Sequence, residues 1–254
     1  MESLPIALIT VRSSSSRLPG KCFLNLGGQT VLEHVIRRAI YGGFEPIVCT
    51  SIQNEDNEIV KIASSVGVRS FQGDLENKIL RWSTCMEKFD VSKAHLVDAD
   101  DPFFDYDEMK KSYLLLDAPY DLVLTSKKSD NGFASVGTSV TKDYIATLCK
   151  RGNNLKSQNF DVIPWDLLIN EGDLIYELPD NDYNFLNESD VRLTLDYPED
   201  MELLTKISER FQYSEKRATI EKFLLDNPKI REINLFRNKD FIQNKKNSKI
   251  VEFG

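Results

Sequence analysis

Residues 6–21 read Ile6-Ala-Leu-Ile-Thr-Val-Arg-Ser-Ser-Ser-Ser-Arg-Leu-Pro-Gly-Lys21. The first six form a short apolar, β-branched run of the kind that makes a buried strand. The next ten carry three fixed cations, Arg12, Arg17 and Lys21, interleaved with hydroxyls and closed by Pro19-Gly20, and hold no carboxylate to neutralise them. An amphipathic segment follows, so this is a strand-to-helix loop at the carboxyl edge of a sheet, where open α/β sheets bind ligands. A loop so charged wants a polyanion.

Outward from that loop the pattern alternates. Val31, Leu32, Val35, Ile36, Ala39 and Ile40 recur at helical spacing, with Thr30 as N-cap and Gly42-Gly43 as the stop. A strand is expected at 47–50, a helix over 59–66, a strand at 68–71, a helix over 75–89, and a strand at 94–97 that runs into Asp98-Ala99-Asp100-Asp101-Pro102. Beyond it come a helix over 105–116, strands at 122–125 and 133–140, a helix over 142–149 and a polar connection over 151–158. Residues 131–187 are less regular and read as an inserted subregion or dimerisation arm. The core pattern returns with a strand at 191–195 ending at Asp196, a helix opening at Pro198-Glu199-Asp200 and a last helix over 219–225. The polar stretch 234–254 reads as loosely packed. Alternating strands and helices predict a parallel, doubly wound α/β sheet.

Composition narrows the class. The 254 residues are 41% hydrophobic and 28% charged. They contain no apolar run of about 18 residues and no signal-peptide pattern, which predicts a cytoplasmic protein. A net charge of -8 argues against a nucleic-acid surface, so the cations of 12–21 are a local exception. Cys22, Cys49, Cys85 and Cys149 match no zinc spacing and read as small buried hydrophobes in a reducing compartment. The only two histidines, His34 on the exposed side of a helix and His95 within a strand, make a Ser-His-Asp triad or a polyhistidine metal site improbable.

Three strand ends carry polar residues that a core does not need: 12–21, 98–101 and Asp196. In a parallel sheet they meet on one rim. Arg and Lys there can hold phosphate oxygens, while a carboxylate from each of two strand ends can hold Mg2+. That combination suggests a nucleoside triphosphate and attack at phosphorus. Asp98, Asp100 and Asp101 can also be read as a polar turn capping the next helix, and Asp196 as the N-cap of the helix at Pro198. The loop is not a Walker A motif, since Ser15 stands where Gly is needed and Cys22 follows the Lys. No dinucleotide-binding glycine fingerprint occurs either.

What the residues do match is Arg-x-x-Ser-x-Arg-x-Pro-Gly-Lys, as Arg12, Ser15, Arg17, Pro19, Gly20 and Lys21, followed by Leu32-Glu33-His34-Val35-Ile36. This strongly resembles the cytidylyltransferase family, in particular its spore-coat polysaccharide branch, and is similar to the CMP-sugar-acid synthetases. Asp100-Asp101-Pro102-Phe103 looks like the family's Gly-Asp-x-Pro-Leu segment, Arg192 to Asp200 resembles its late Asp-x-Pro-Glu-Asp motif, and Phe71-Gln-Gly-Asp74 and Leu80-Arg81 sit in register. Ala99 stands where the family has Gly, and 131–187 aligns with nothing in it.

The resemblance implies a three-layer, Rossmann-like nucleotidyltransferase fold, similar to that of metal-dependent glycosyltransferases, with a mostly parallel sheet. It implies Mg2+ on Asp100 and Asp196, and catalysis by these two with Arg12 and Lys21. CTP phosphates would lie against Arg12, Ser13, Ser15, Arg17 and Lys21, with Gln72, Asp74 and Arg81 also on the nucleotide. It further implies CMP transfer to the hydroxyl of a 3-deoxy sugar acid, pyrophosphate as leaving group, surface-polysaccharide biosynthesis and a homodimer. A phosphonate or sugar-phosphate acceptor, a glycosyltransferase using Asp98-Ala99-Asp100, and a non-catalytic nucleotide sensor are the alternatives.

Overall fold

The computed structural model describes residues 4–117, 119–125, 137–155, 159–160, 163–179 and 191–244. In chain order its strands are β1 (Ile6–Thr10), β2 (Asn25–Leu26), β3 (Gln29–Thr30), β4 (Glu45–Ser51), β5 (Arg69–Gly73), β6 (Lys93–Asp98), β7 (Leu122–Leu124), β8 (Thr138–Thr141) and β9 (Ile175–Glu177). The helices are α1 (Val31–Tyr41), α2 (Asn57–Ser65), α3 (Lys78–Lys88), α4 (Tyr106–Leu114), α5 (Lys142–Gly152), α6 (Trp165–Leu168), α7 (Pro198–Ser208), α8 (Arg217–Asp226) and α9 (Pro228–Leu235). Seven strands form one sheet in the order β5-β4-β1-β6-β8-β7-β9, and β2 pairs with β3 as a small hairpin. The four strands on the β5 side are mutually parallel, while β8 runs antiparallel to both β6 and β7.

Neighbouring residues on each central strand feed opposite faces. Ile9, Val48 and Val97 pack with α1, α2 and α4, through Val35, Ile36, Ala63 and Met109. Leu8, Ile47 and Leu96 pack with α3 and α5, through Trp82, Met86, Ile145 and Leu148. A sheet covered on both sides needs continuous apolar strands, and β1 is fully buried at Ala7, Leu8 and Ile9. The α1 entry is a capping box: Thr30 Oγ1 accepts from Glu33 N at 3.1 Å, and Glu33 Oε2 accepts from Thr30 N at 2.7 Å. Such a cap is worth about 1 kcal/mol.

The alternation of strands and helices is as the hydrophobic pattern predicts, but three expectations are corrected. Residues 191–195 form no sheet strand. They are buried against the turn after β6, where Leu195 N donates to Asp100 O at 2.7 Å; the slot beside β6 is held by β8. His34 is 2% exposed, its ring edge-on to Phe103 at 4.7 Å, because β2, β3 and the turn after β6 roof that face of α1. The described part of the polar stretch, residues 234–244, is ordered into the fold: Asn234 is fully buried and residues 237–244 are helical, while 245–254 lie outside the described residues. Within 131–187 the described residues supply β8 and β9 to the main sheet and α5 against α3, while 131–136, 156–158, 161–162 and 180–187 lie outside the described residues. Among the described residues no helix is long and apolar enough to cross a membrane.

Candidate active site

The loop after β1 is shaped before it meets any ligand. Gly20, at φ +65°, donates its N–H to Ser13 O at 3.1 Å, closing residues 13–20 into a ring and starting the 3-10 turn Lys21–Phe23. An unforeseen acid anchors the base. Asp56 Oδ1 accepts from Ser13 N at 2.8 Å and Ser13 Oγ at 2.6 Å, and its Oδ2 accepts from Thr50 Oγ1, Ser51 N and Ser51 Oγ. Burial alone would raise its pKa, but these donors hold the carboxyl below its ordinary value. Both Ser13 donors are therefore committed to Asp56 instead of facing the cleft. Ser15 Oγ accepts from Leu18 N at 3.4 Å within the loop.

So shaped, the loop delivers its last two cations to two carboxylates from distant segments. Lys21 Nζ donates to Asp100 Oδ2 at 2.7 Å, Asp196 Oδ1 at 3.0 Å and Leu195 O at 2.8 Å, which uses all three of its N–H bonds. Arg17 Nη2 donates to the same Asp196 Oδ1 at 2.7 Å. Burial would lower the Lys21 pKa, yet Asp100 and Asp196 hold it above its ordinary value; Asp100, which burial would raise, is pulled down by Lys21 and by Lys78. Asp101 is pushed well above the carboxylate range by burial and by Asp100 and Asp98. Of Asp98, Asp100 and Asp101 only Asp100 bonds Lys21, while Asp98 pairs with Lys78 at 2.7 Å. Asp100 Oδ2 and Asp196 Oδ1 converge on one point, and that pair could hold a metal. Among the described residues no group of three or more His, Cys, Asp or Glu gathers at such a point.

Asp196 is fixed from behind. Asp200 Oδ2 accepts from Asp196 N and Tyr197 N at 2.9 Å each, while fully buried Arg192 grips both Asp200 oxygens at 2.8 and 3.0 Å. The other expected contacts form a separate group. Arg12 Nη1 donates to Leu75 O at 2.9 Å and Arg81 Nη1 to Asp74 O at 2.8 Å. Asp74 Oδ1 accepts from Glu76 N and Asn77 N, bracing the turn before α3 and delaying that helix to Lys78. Gln72 Nε2 donates to Ser51 O and Asn57 Oδ1. The structure thus gathers Arg17, Lys21, Asp100 and Asp196, and sets Arg12, Asp74 and Arg81 on the turn at 73–77. Asp56, Lys78, Arg192 and Asp200 are the residues that motif reading passed over as working parts.

Residues 6–158 match the family described as Cytidylyltransferase. The chain belongs to the cytidylyltransferase family. It is a nucleotidyltransferase. An uncharacterized protein of Methanocaldococcus jannaschii is 27% identical over 90% of this chain and 93% of its own length. The 3-deoxy-manno-octulosonate cytidylyltransferase of Rhodospirillum rubrum is 31% identical over 37% of this chain, which spans 36% of that enzyme. In fold, this cytidylyltransferase is similar to one from Leptospira borgpetersenii, with a TM-score of 0.76 at 22% identity over 91% of this chain and 98% of that one. It is also similar to a CMP:2-keto-3-deoxy-manno-octonic acid synthetase solved with CTP, with a TM-score of 0.59 at 15% identity over 81% of this chain and 99% of that one.

Proposed function

We propose that this cytidylyltransferase moves CMP from CTP to the hydroxyl of a 3-deoxy sugar acid, releasing pyrophosphate, in a Mg2+-dependent reaction serving surface-polysaccharide biosynthesis. One observation carries the reading: Lys21 from the first loop bonds both Asp100, from the turn after β6, and Asp196, before α7, at 2.7 and 3.0 Å, and Arg17 bonds the same Asp196 at 2.7 Å. The region similar to the octulosonate enzymes supports the choice of CTP and of a sugar-acid acceptor.

Phosphoryl transfer asks the protein mainly for positioning and charge stabilisation. Arg17, a third exposed and bonded to Asp196, would with Arg12 and Lys21 hold the β- and γ-phosphates and offset the charge of departing pyrophosphate. The carboxylates fit magnesium, because two oxygens from separate segments already lie 2.7 and 3.0 Å from a single cationic atom, and Mg2+ takes one or two carboxylates plus water and substrate phosphate. Asp100 and Asp196 would hold the ion, which supplies Lewis-acid polarisation at the phosphoryl group. Lys21 would then turn its ammonium to phosphate oxygens. A sugar-nucleotide site on Asp98-Ala99-Asp100 is less well supported, since Asp98 is tied to Lys78.

A thermal-shift panel of CTP, UTP, ATP and GTP, each with Mg2+, tests the nucleotide assignment. CTP is expected to raise the melting temperature most; equal shifts with all four, or none, would remove it.

A further inference from the structure

We propose that the C-terminal helical segment, residues 228–244, is a working part of this nucleotide site, and that Asn234 is a positioning residue for Asp196. The inference rests on the metal role given to Asp196 above. Asn234 lies beyond residue 158, where the family match ends, in a stretch whose polar composition resembles a solvated tail. Instead its side chain is fully buried, and Asn234 Nδ2 donates to Asp200 Oδ1 at 2.8 Å and to Arg192 O at 3.0 Å.

Those bonds complete the Asp200 carboxylate. It receives Arg192 Nε and Nη2, Asn234 Nδ2 and the backbone N–H groups of Asp196 and Tyr197. Two of its five donors are thus the peptide groups that set where Asp196 points. Asn234 Oδ1 is buried with no hydrogen-bond partner among the described residues, a cost that a residue kept for packing alone would not carry. An apolar side chain would fill the space without it, so the amide is kept for its donor.

A second set of contacts from the same segment ends at the same place. Arg237 grips both oxygens of Glu199 at 2.9 and 3.0 Å, and its guanidinium lies 4.7 Å from the centre of the Tyr197 ring. Asn244 Nδ2 donates to the Tyr197 hydroxyl at 2.9 Å. The same ring carries Arg17 at 5.5 Å, the arginine bonded to Asp196. Asp196 is therefore oriented through its backbone by way of Asn234 and Asp200, and through its side-chain partner by way of Arg237 and Tyr197.

Supporting residues of this kind change the affinity of a site for its ion by about 10–100-fold while leaving the ligands in place. The measurement is calorimetric titration of CTP with and without Mg2+ into wild type, Asn234→Leu and Arg237→Met, with melts on the same samples. Wild type is expected to bind CTP about tenfold tighter with Mg2+, and Asn234→Leu to lose most of that gain with its metal-free affinity unchanged. Arg237→Met, at a partly exposed site, should show a smaller loss of the same sign, and it keeps the test open if Asn234→Leu fails to fold. A merely structural segment would lower the melting temperature and leave the Mg2+ gain intact in every folded variant, which overturns the inference. Wild type that binds CTP without any Mg2+ gain overturns it while sparing the cytidine assignment; wild type that binds no CTP removes both.

Discussion

Lys21 uses all three N–H bonds on Asp100, Asp196 and Leu195, and is only 14% exposed. Removing it leaves Asp100 and Asp196 facing each other without the ammonium that bridges them. Breaking a buried pair in this way costs about 3–5 kcal/mol, less here because Asp100 is partly solvated and Arg17 stays on Asp196. Lys21→Ala should therefore remain folded with a lowered melting temperature and show no turnover; undiminished pyrophosphate release would refute its role. Asp56 makes a prediction about pH. Its folded pKa is depressed, so the stability it contributes is present above its unfolded value near 3.8 and is lost as pH falls through the folded value. Melts of wild type and Asp56→Asn should differ most at neutral pH and converge in acid below that value. A gap that does not narrow in acid would show that the five donors around Asp56 do not favour its charged form.

At the scale of elements, the join between β6 and β8 has the least room for change. Gly137 sits at φ +91°, and a Cβ there would fall 2.0 Å from Leu96 O, on the backbone of the central strand. Neither half of that conflict can relax cheaply, so Gly137→Ala should cost roughly 3 kcal/mol or more, read from a denaturant midpoint. A wild-type midpoint would mean that the β6–β8 register is not as described. The same element shows what sequence can and cannot reveal. Strands β1, β4 and β6 were legible because they are buried on both faces and their centres are mostly apolar and β-branched. Residues 191–195, Val-Arg-Leu-Thr-Leu, alternate apolar and polar as a strand does yet lie outside the sheet, since such a pattern reports burial but not whether a ladder partner exists. The last helices were misread for the opposite reason: Asn234 and Arg237 bury or spend their polar groups on other polar groups, and hydrophobic patterning is blind to such networks.

Over the whole molecule, the first loop, the turn after β6 and the segment before α7 are separated by 79 and 96 residues, taking Lys21, Asp100 and Asp196 as markers. The meeting of the first loop with Asp100 was foreseeable because parallel strands put their carboxyl ends on one rim, whereas Asp196 arrives from a buried segment outside the sheet. The supports behind them, Asp56 and Asp200 with Arg192, were not, since each acts on a backbone group whose position only the fold sets. The account stands on cytidylyl transfer. Its most direct test is pyrophosphate release from CTP and Mg2+ with 3-deoxy-manno-octulosonate as acceptor, run beside Asp196→Asn. Pyrophosphate should appear together with the CMP-sugar in wild type and be lost in a folded Asp196→Asn variant. No release with sugar-acid, phosphonate or sugar-phosphate acceptors, or undiminished release from Asp196→Asn, would contradict it.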